Sequence, residues 1–560
     1  MEKYYWLNKN SRQFLERGYL DEGTTPEQRV RQIAENSEKI LTKLLLEKDS
    51  DKFAGFADKL ESYVANGWIS FSSPVWSNFG NKKGLPCSCN GQLLEDTIES
   101  ILDNAAEMGT MAKFGAGCSG YIGELRPRGT KISVGGESSG PCHFLEIYNT
   151  VASVISQSNV RRGHFAAYLN IDHPDLEEFL RIRGEGHPIQ ELSLGVTITN
   201  NWMNSMIEGD KEKRKIWASI IRKRFETGFP YLFFTDTIND NKHQSYKDKD
   251  IKIWASNMCT ETAIPAGEDF SFVCVLSSLN LLHYEDWKDT DLIEVMTYFL
   301  DSVTEEYIEK TEGIKHLQKA NKFAREHRSI GLGVLGWHSY LQKNNIPFES
   351  IDAKFKNSQI FKLINDKSLL ASKDLAKLFG EPEILKGYGD RMTTRLAIAP
   401  TTSSSLILGA VSQGVEPENS CYYIKKLSKG SFTYKNPYLK EILKKYDKND
   451  EDTWKSILIH GGSVQHLDFL SENEKEVFKT FGEISQKEIV IQQAQRQKFI
   501  DQSVSLNLMI PPKTKPKDVS DLLIFGWQQG IKTFYYQRSF SESQQLVRSI
   551  NIMECKSCEA

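Results

Sequence analysis

The chain has 560 residues, 39% of them apolar and 26% charged, with a net charge of -4 and an isoelectric point near 6.3. That length allows a large core plus an accessory region. The slightly acidic balance excludes the basic surface of a nucleic-acid-binding protein, so any phosphate handled here belongs to a small molecule.

The start, Met1-Glu2-Lys3-Tyr4-Tyr5-Trp6, has no apolar signal core, and no stretch approaches the ~18 apolar residues of a membrane span. This predicts a cytoplasmic protein with its nine cysteines reduced at rest. The odd count also speaks against a full disulfide framework.

Residues 1–68 read as helical. Thr25-Pro26-Glu27-Gln28 has a capping-box pattern with proline at the first helical position, followed by Val30, Ile33, Ala34, Ile40 and Leu41 at helical spacing. Short runs rich in β-branched and aromatic residues then predict buried strands at 69–76, 165–171, 194–199, 231–236, 272–281, 330–337, 395–400, 503–510 and 532–537. Amphipathic stretches such as 287–312 and 354–379 separate several of them, which implies parallel pairing through helical crossovers in a large sheet or barrel. Residues 424–456 read as a solvated insertion, and the last residues, from about Arg538, as a mobile tail.

Several motifs bear chemistry, each with a plainer structural reading. Cys87-Ser88-Cys89 reads alone as a pair of half-buried loop thiols. The glycine-rich Phe114–Gly120 and Val134-Gly135-Gly136 are candidates for backbone N–H groups facing a phosphate. Asn257-Met258-Cys259-Thr260-Glu261 puts an amide, a thiol and a carboxylate at alternating positions, which share one side of an extended segment. Cys274 lies in a run with every mark of a core strand. Pro400-Thr401-Thr402-Ser403-Ser404-Ser405 follows a predicted strand and reads either as an anion-binding loop or as an ordinary helix cap. Tyr535-Tyr536 alone reads as strand packing. Cys118, Cys142 and Cys421 have no partner pattern and read as structural. Cys555-Lys556-Ser557-Cys558 lacks the second ligand pair of a zinc site and fits a redox dithiol on a flexible arm.

The order and spacing of these pieces resemble the catalytic large subunit of class I ribonucleotide reductases, over roughly residues 10 to 558. The matching pieces are Ser72-Ser73-Pro74, Ser88-Cys89, Asn257-x-Cys259-x-Glu261, Cys274 with Ser278-Leu279-Asn280, Ala399-Pro400-Thr401, Trp527-x-x-Gly530-x-Lys532-Thr533-x-Tyr535-Tyr536 and the tail cysteines. The stretch from Arg161 to Asp175 also looks like the family.

The resemblance implies a ten-stranded α/β barrel of two five-stranded halves over 69–537, with a finger loop near 257–261 and a redox tail over 538–560. It implies a Cys259 thiyl radical that takes the 3′ hydrogen of a ribonucleoside diphosphate, with Glu261 as base and Asn257 orienting the sugar hydroxyls. Cys89 and Cys274 would supply two electrons and become a disulfide, which Cys555 and Cys558 would reduce before being re-reduced by a thioredoxin- or glutaredoxin-like protein. Substrate contacts would come from Ser73, Ser88, Thr401, Thr402, Ser403 and Ser404; some relatives have glutamate where Thr402 stands. Tyr535 and Tyr536 would relay the radical from a metal-containing small subunit, with no metal bound to this chain.

For regulation, the resemblance implies a homodimer with a dNTP or ATP effector near Asp96, Arg126 and Arg161, linked to substrate through the loop from Asn159 to Ala166. Asp96 alone reads as a helix cap before Thr97-Ile98. The chain begins too near the barrel to hold the N-terminal ATP-binding domain of many relatives, so overall activity control is expected to be absent or to lie on the partner. The alternatives weighed are an adenosylcobalamin-dependent reductase, a non-catalytic nucleotide-binding regulator and a plain CxxC oxidoreductase.

Overall fold

The computed structural model describes residues 3–47, 51–133, 135–157, 161–427 and 430–539. Cys555 and Cys558 lie outside the described residues, as do residues 158–160 of the Asn159–Ala166 loop and the side chain of Arg161.

The N-terminal region forms the helices Lys9–Glu16, Pro26–Leu44 and Phe56–Ala65. The second opens on the expected capping box: the Thr25 hydroxyl accepts from Gln28 N, and the Gln28 amide accepts from Thr25 N. Its apolar stripe is buried. Arg29, on the same helix, reaches inward and donates to the carbonyls of Val75, Trp76 and Phe79 at 3.2, 2.7 and 2.6 Å. It thereby satisfies the end of the short helix Ser73–Asn78 and fastens the helical region to the barrel.

Five strands pair in parallel and in chain order: Cys89–Leu93, Gly117–Tyr121, Phe165–Asn170, Ser193–Ile198 and Tyr231–Phe234. Phe272–Asn280 then runs antiparallel to Cys89–Leu93 and parallel to Ile330–Leu335. Parallel bridges Leu332↔Leu396 and Ile398↔Val504 extend this second half. Leu508–Ile510 pairs in parallel with Gln537–Ser539, and Thr533–Phe534 lies antiparallel to Tyr231–Phe234. The halves thus meet at both edges and the sheet closes into the expected ten-stranded barrel, with helices in the crossovers.

Two strands of the barrel escape the sequence reading. Cys89–Leu93 and Gly117–Tyr121 have no β-branched residue, yet both are central and largely buried. The glycines of the second therefore do not cradle a phosphate: Gly117 N and Cys118 N are spent on Ser88 O and His164 O, at 2.9 and 3.0 Å. The first strand is also shorter than 69–76, because the helix Ser73–Asn78, with Pro74 in its first turn, ends it at Phe71.

The 424–456 insertion is a packed unit rather than a solvated loop. A hairpin, Tyr422–Leu427 with Gly430–Lys435, and the helices Pro437–Lys445 and Glu451–Ile459 enclose a second core of Cys421, Tyr422, Leu439, Leu443, Trp454 and Ile457. The lysines and acids of these two helices lie on their exposed faces. Among the described residues no helix is long and apolar enough to cross a membrane.

Candidate active site

Where the two halves of the barrel meet, Cys89 and Cys274 stand directly opposite one another in antiparallel register. Opposed residues in such a pair have Cα atoms about 4.5–5.5 Å apart, inside the span of about 4.4–6.8 Å that a disulfide needs. Both thiols are buried. Burial first, and the nearby Glu261 carboxylate second, push both well above the usual thiol range. They are therefore held as thiols. Cys87 is not a half-exposed loop residue either: its sulfur donates to the carbonyls of Cys89 and Cys274 at 3.2 and 3.5 Å, and burial pushes it up to about 12.

The segment Asn257–Glu261 is not extended, as the alternation argument supposes. It turns at Met258-Cys259, with Thr260 in the left-handed region at φ 67°. It forms a finger inside the barrel, made possible partly because Gly117 has no side chain: a Cβ there would lie 2.7 Å from Met258 Sδ. The turn brings the three functional groups together by another route. Asn257 Nδ2 donates to Cys89 Sγ at 3.1 Å, and its carbonyl accepts from Tyr168 OH at 2.7 Å. Asn257 Oδ1 accepts from Thr262 N at 3.1 Å, which locks the amide orientation.

Cys259 and Glu261 are braced from the second half of the barrel. Ser505 Oγ donates to Cys259 O and, at 3.3 Å, to Glu261 Oε2. Ser503 N donates to Glu261 O at 2.9 Å, and Thr533 Oγ1 to Thr260 O at 3.1 Å. Cys259 is 3% exposed and Glu261 fully enclosed. Tyr168, Ser503 and Ser505 were missed in the sequence because they are ordinary residue types in strands and loops, with no spacing signal.

Tyr535 OH lies 3.6 Å from Cys259 Sγ. The rings of Tyr535 and Tyr536 are in contact, their centroids 4.2 Å apart. Tyr535 is buried and Tyr536 only partly so, which gives a path from the surface to the finger sulfur.

The hydroxyl-rich segments also converge. Thr401 has φ 57° and begins the short helix Thr402–Ile407; its hydroxyl accepts from Gly414 N at 2.7 Å. Thr402 donates to Gln413 at 3.0 Å, and Ser404 Oγ to Phe71 O at 3.4 Å, next to Ser72 and Ser73. Ser403 is buried, and Ser73 Oγ lies 3.4 Å from Tyr19 OH. The hydroxyls of Ser72 and Ser88 are buried with no hydrogen-bond partner among the described residues, an arrangement that suits a polar ligand.

Asp96 does not cap the following helix; Thr97 does, accepting from Ser100 N at 3.1 Å. Asp96 instead takes Arg126 Nε at 2.5 Å and Arg126 N at 3.1 Å, in a half-exposed pair.

A curled barrel holding a thiol-bearing finger beside a facing thiol pair defines a radical-type reductase of nucleotides. The family model described as "Ribonucleotide reductase, barrel domain" matches residues 87–213, 206–384 and 381–537, and the chain belongs to this family. A solved structure of the Actinobacillus ureae class Id ribonucleotide reductase alpha subunit is similar at 49% identity and TM-score 0.90, covering 97% of this chain and 99% of that one. A frog virus 3 protein named as a ribonucleoside-diphosphate reductase large subunit is 37% identical, over 88% of this chain and 90% of its own length. The large subunit of invertebrate iridescent virus 3 is 32% identical, over 86% and 88%.

Proposed function

We propose that this chain is the catalytic subunit of a class I ribonucleoside-diphosphate reductase, converting ribonucleoside diphosphates to their 2′-deoxy forms. The observation that carries the reading is the finger's double contact: Asn257 bonded to Cys89 of the thiol pair, and Cys259 in contact with Tyr535. An electron and a proton leave Cys259 through Tyr535 and Tyr536 towards a radical-bearing, metal-containing small subunit. The sulfur radical takes the 3′ hydrogen of the ribose, Glu261 takes the 3′-OH proton, and Asn257 orients the hydroxyls. The 2′-OH leaves as water, Cys89 and Cys274 supply two electrons and two protons and close a disulfide, and Cys259 returns its hydrogen to C3′, which restores the sulfur radical. A dry interior protects the radical from solvent.

The diphosphate is assigned to Thr401, Thr402, Ser403 and Ser404, with Ser73 and Ser88 beside it. Cys555 and Cys558 are assigned the reduction of the buried disulfide, and a thioredoxin- or glutaredoxin-like protein their own re-reduction. Asp96, Arg126 and Arg161 are assigned to a dNTP or ATP effector. A homodimer fits the exposed apolar side chains of the neighbouring helices Ile98–Lys113 and Pro141–Val154, where Ile98, Leu102 and Val154 are 54, 51 and 73% exposed.

The direct test is conversion of CDP to dCDP by the full chain with its small subunit and a dithiol. Product that depends on both is expected. Turnover with adenosylcobalamin and no small subunit would overturn the reading in favour of the cobalamin-dependent class, which has no use for the tyrosine contact.

A further inference from the structure

Tyr231 opens the strand Tyr231–Phe234, which pairs with Thr533–Phe534, the strand that leads into the tyrosine pair. Its ring centroid lies 4.8 Å from Tyr535 and 5.1 Å from Tyr536, while those two are 4.2 Å from each other. The three phenol rings form a closed triangle rather than a file. Tyr231 is fully buried, and Phe229 covers the triangle from the side, its centroid 5.1 Å from both Tyr231 and Tyr536.

Packing alone does not call for a phenol here. The strand continues with Leu232, Phe233 and Phe234, which are equally buried and purely apolar. A hydroxyl in the same interior has to be both desolvated and partnered, a demand that phenylalanine does not make. The environment also bears on electron transfer. The buried Arg224 guanidinium donates to Pro230 O and, at 3.2 Å, to Tyr535 O, which places a positive charge against the triangle. A fixed cation in a low-dielectric setting disfavours a tyrosine radical cation. Oxidation here must therefore move the electron together with the phenolic proton.

We propose that Tyr231 is a third redox-active residue of the radical relay, exchanging a hydrogen atom with the Tyr535–Tyr536 pair. The step is balanced: a Tyr535 phenoxyl accepts one electron and one proton from Tyr231 O–H, so one O–H bond breaks, one forms, and the phenoxyl now resides on Tyr231. No other reagent is consumed. The inference rests on the relay reading given above for Tyr535 and Tyr536.

The test places 3-aminotyrosine, which is more readily oxidised than tyrosine, at position 231 of the full chain. The protein is mixed with its radical-bearing small subunit, CDP and ATP, then frozen and read by electron paramagnetic resonance. A second preparation carries the analogue at position 535. Aminotyrosyl radical is expected at both positions. A radical at 535 with none at 231, in a chain that still binds nucleotide, overturns the role of Tyr231 and leaves the relay standing. Absence of the radical at 535 overturns the relay itself, and the Tyr231 step with it.

Discussion

Cys89 faces Cys274 across the seam between the two barrel halves, and the antiparallel register holds them there without help from any loop. The pair can close into a disulfide by side-chain rotation alone. Burial holds both sulfurs as thiols, which suits the proposed role of hydrogen donors better than that of thiolates seeking an outside disulfide. On that reading, a dithiol able to enter the barrel regenerates them.

A single round of turnover without external reductant is expected to leave a Cys89–Cys274 disulfide. Alkylation of free thiols followed by peptide mass spectrometry reads it. Cys89→Ser and Cys274→Ser are each expected to abolish multiple turnover while nucleotide binding persists. Sustained dCDP formation by either variant would contradict the assignment.

Tyr535→Phe and Tyr536→Phe keep the rings and remove only the phenolic oxygens; that of Tyr535 lies 3.6 Å from Cys259 Sγ, the contact on which the proposed relay ends. Both variants are expected to bind CDP normally and to make no dCDP. Isothermal titration and a product assay on the same preparation separate the two properties. Substantial turnover in either would remove the relay.

The barrel was legible wherever strands are β-branched and aromatic, as in Phe165–Asn170 and Phe272–Asn280. It was not legible at Cys89–Leu93, which has no β-branched or aromatic residue although tertiary packing makes it a central strand. The site residues were individually unremarkable; Cys274 and Tyr535 gained meaning only from the ordered motif set. The finger's geometry lay out of reach, since nothing in Met258-Cys259-Thr260 announces a left-handed threonine. The contacts from Ser503 and Ser505 depend on a barrel closure that no local pattern encodes.

Glu107 gives a pH signature of its own. It is 3% exposed, held by Asn90 Nδ2 and Ser271 Oγ at 2.9 Å each, and burial pushes its carboxyl up to about 7 from 4.5. Between those two values the folded chain holds a proton that the unfolded chain has lost. The contribution to stability is therefore complete below about pH 4.5 and is lost as pH rises through 7. Glu107→Gln keeps both neighbours satisfied and removes the titration. It is expected to raise the melting temperature at pH 8 and to leave it little changed at pH 5, with an effect on the order of 2–3 kcal/mol at most. A melting temperature that shifts equally at both pH values would show that the carboxyl does not titrate in this range.

Lys532 ties the finger's support to pH in a different way. Its ammonium donates to the carbonyls of Ile500, Asp501 and Gln502 at 2.9, 2.9 and 2.7 Å, fixing the turn from which Ser503 and Ser505 reach Glu261. Burial lowers the lysine to about 8, against a partial upward pull from Asp501. Above that pH the neutral amine has two N–H groups for three carbonyls, and the turn loosens its hold on the finger. Turnover is expected to fall with a midpoint near pH 8, with CDP affinity less affected. Unfolding does not explain such a fall: with the folded value depressed, the unfolded chain binds more protons between about 8 and 10.5, so this group makes the fold more stable, not less, as pH rises through that window. Lys532→Met strands three carbonyls at a cost of about 1–3 kcal/mol each; it is expected to lower turnover at every pH and to remove the alkaline limb. An unchanged alkaline limb in that variant would assign the titration to another group.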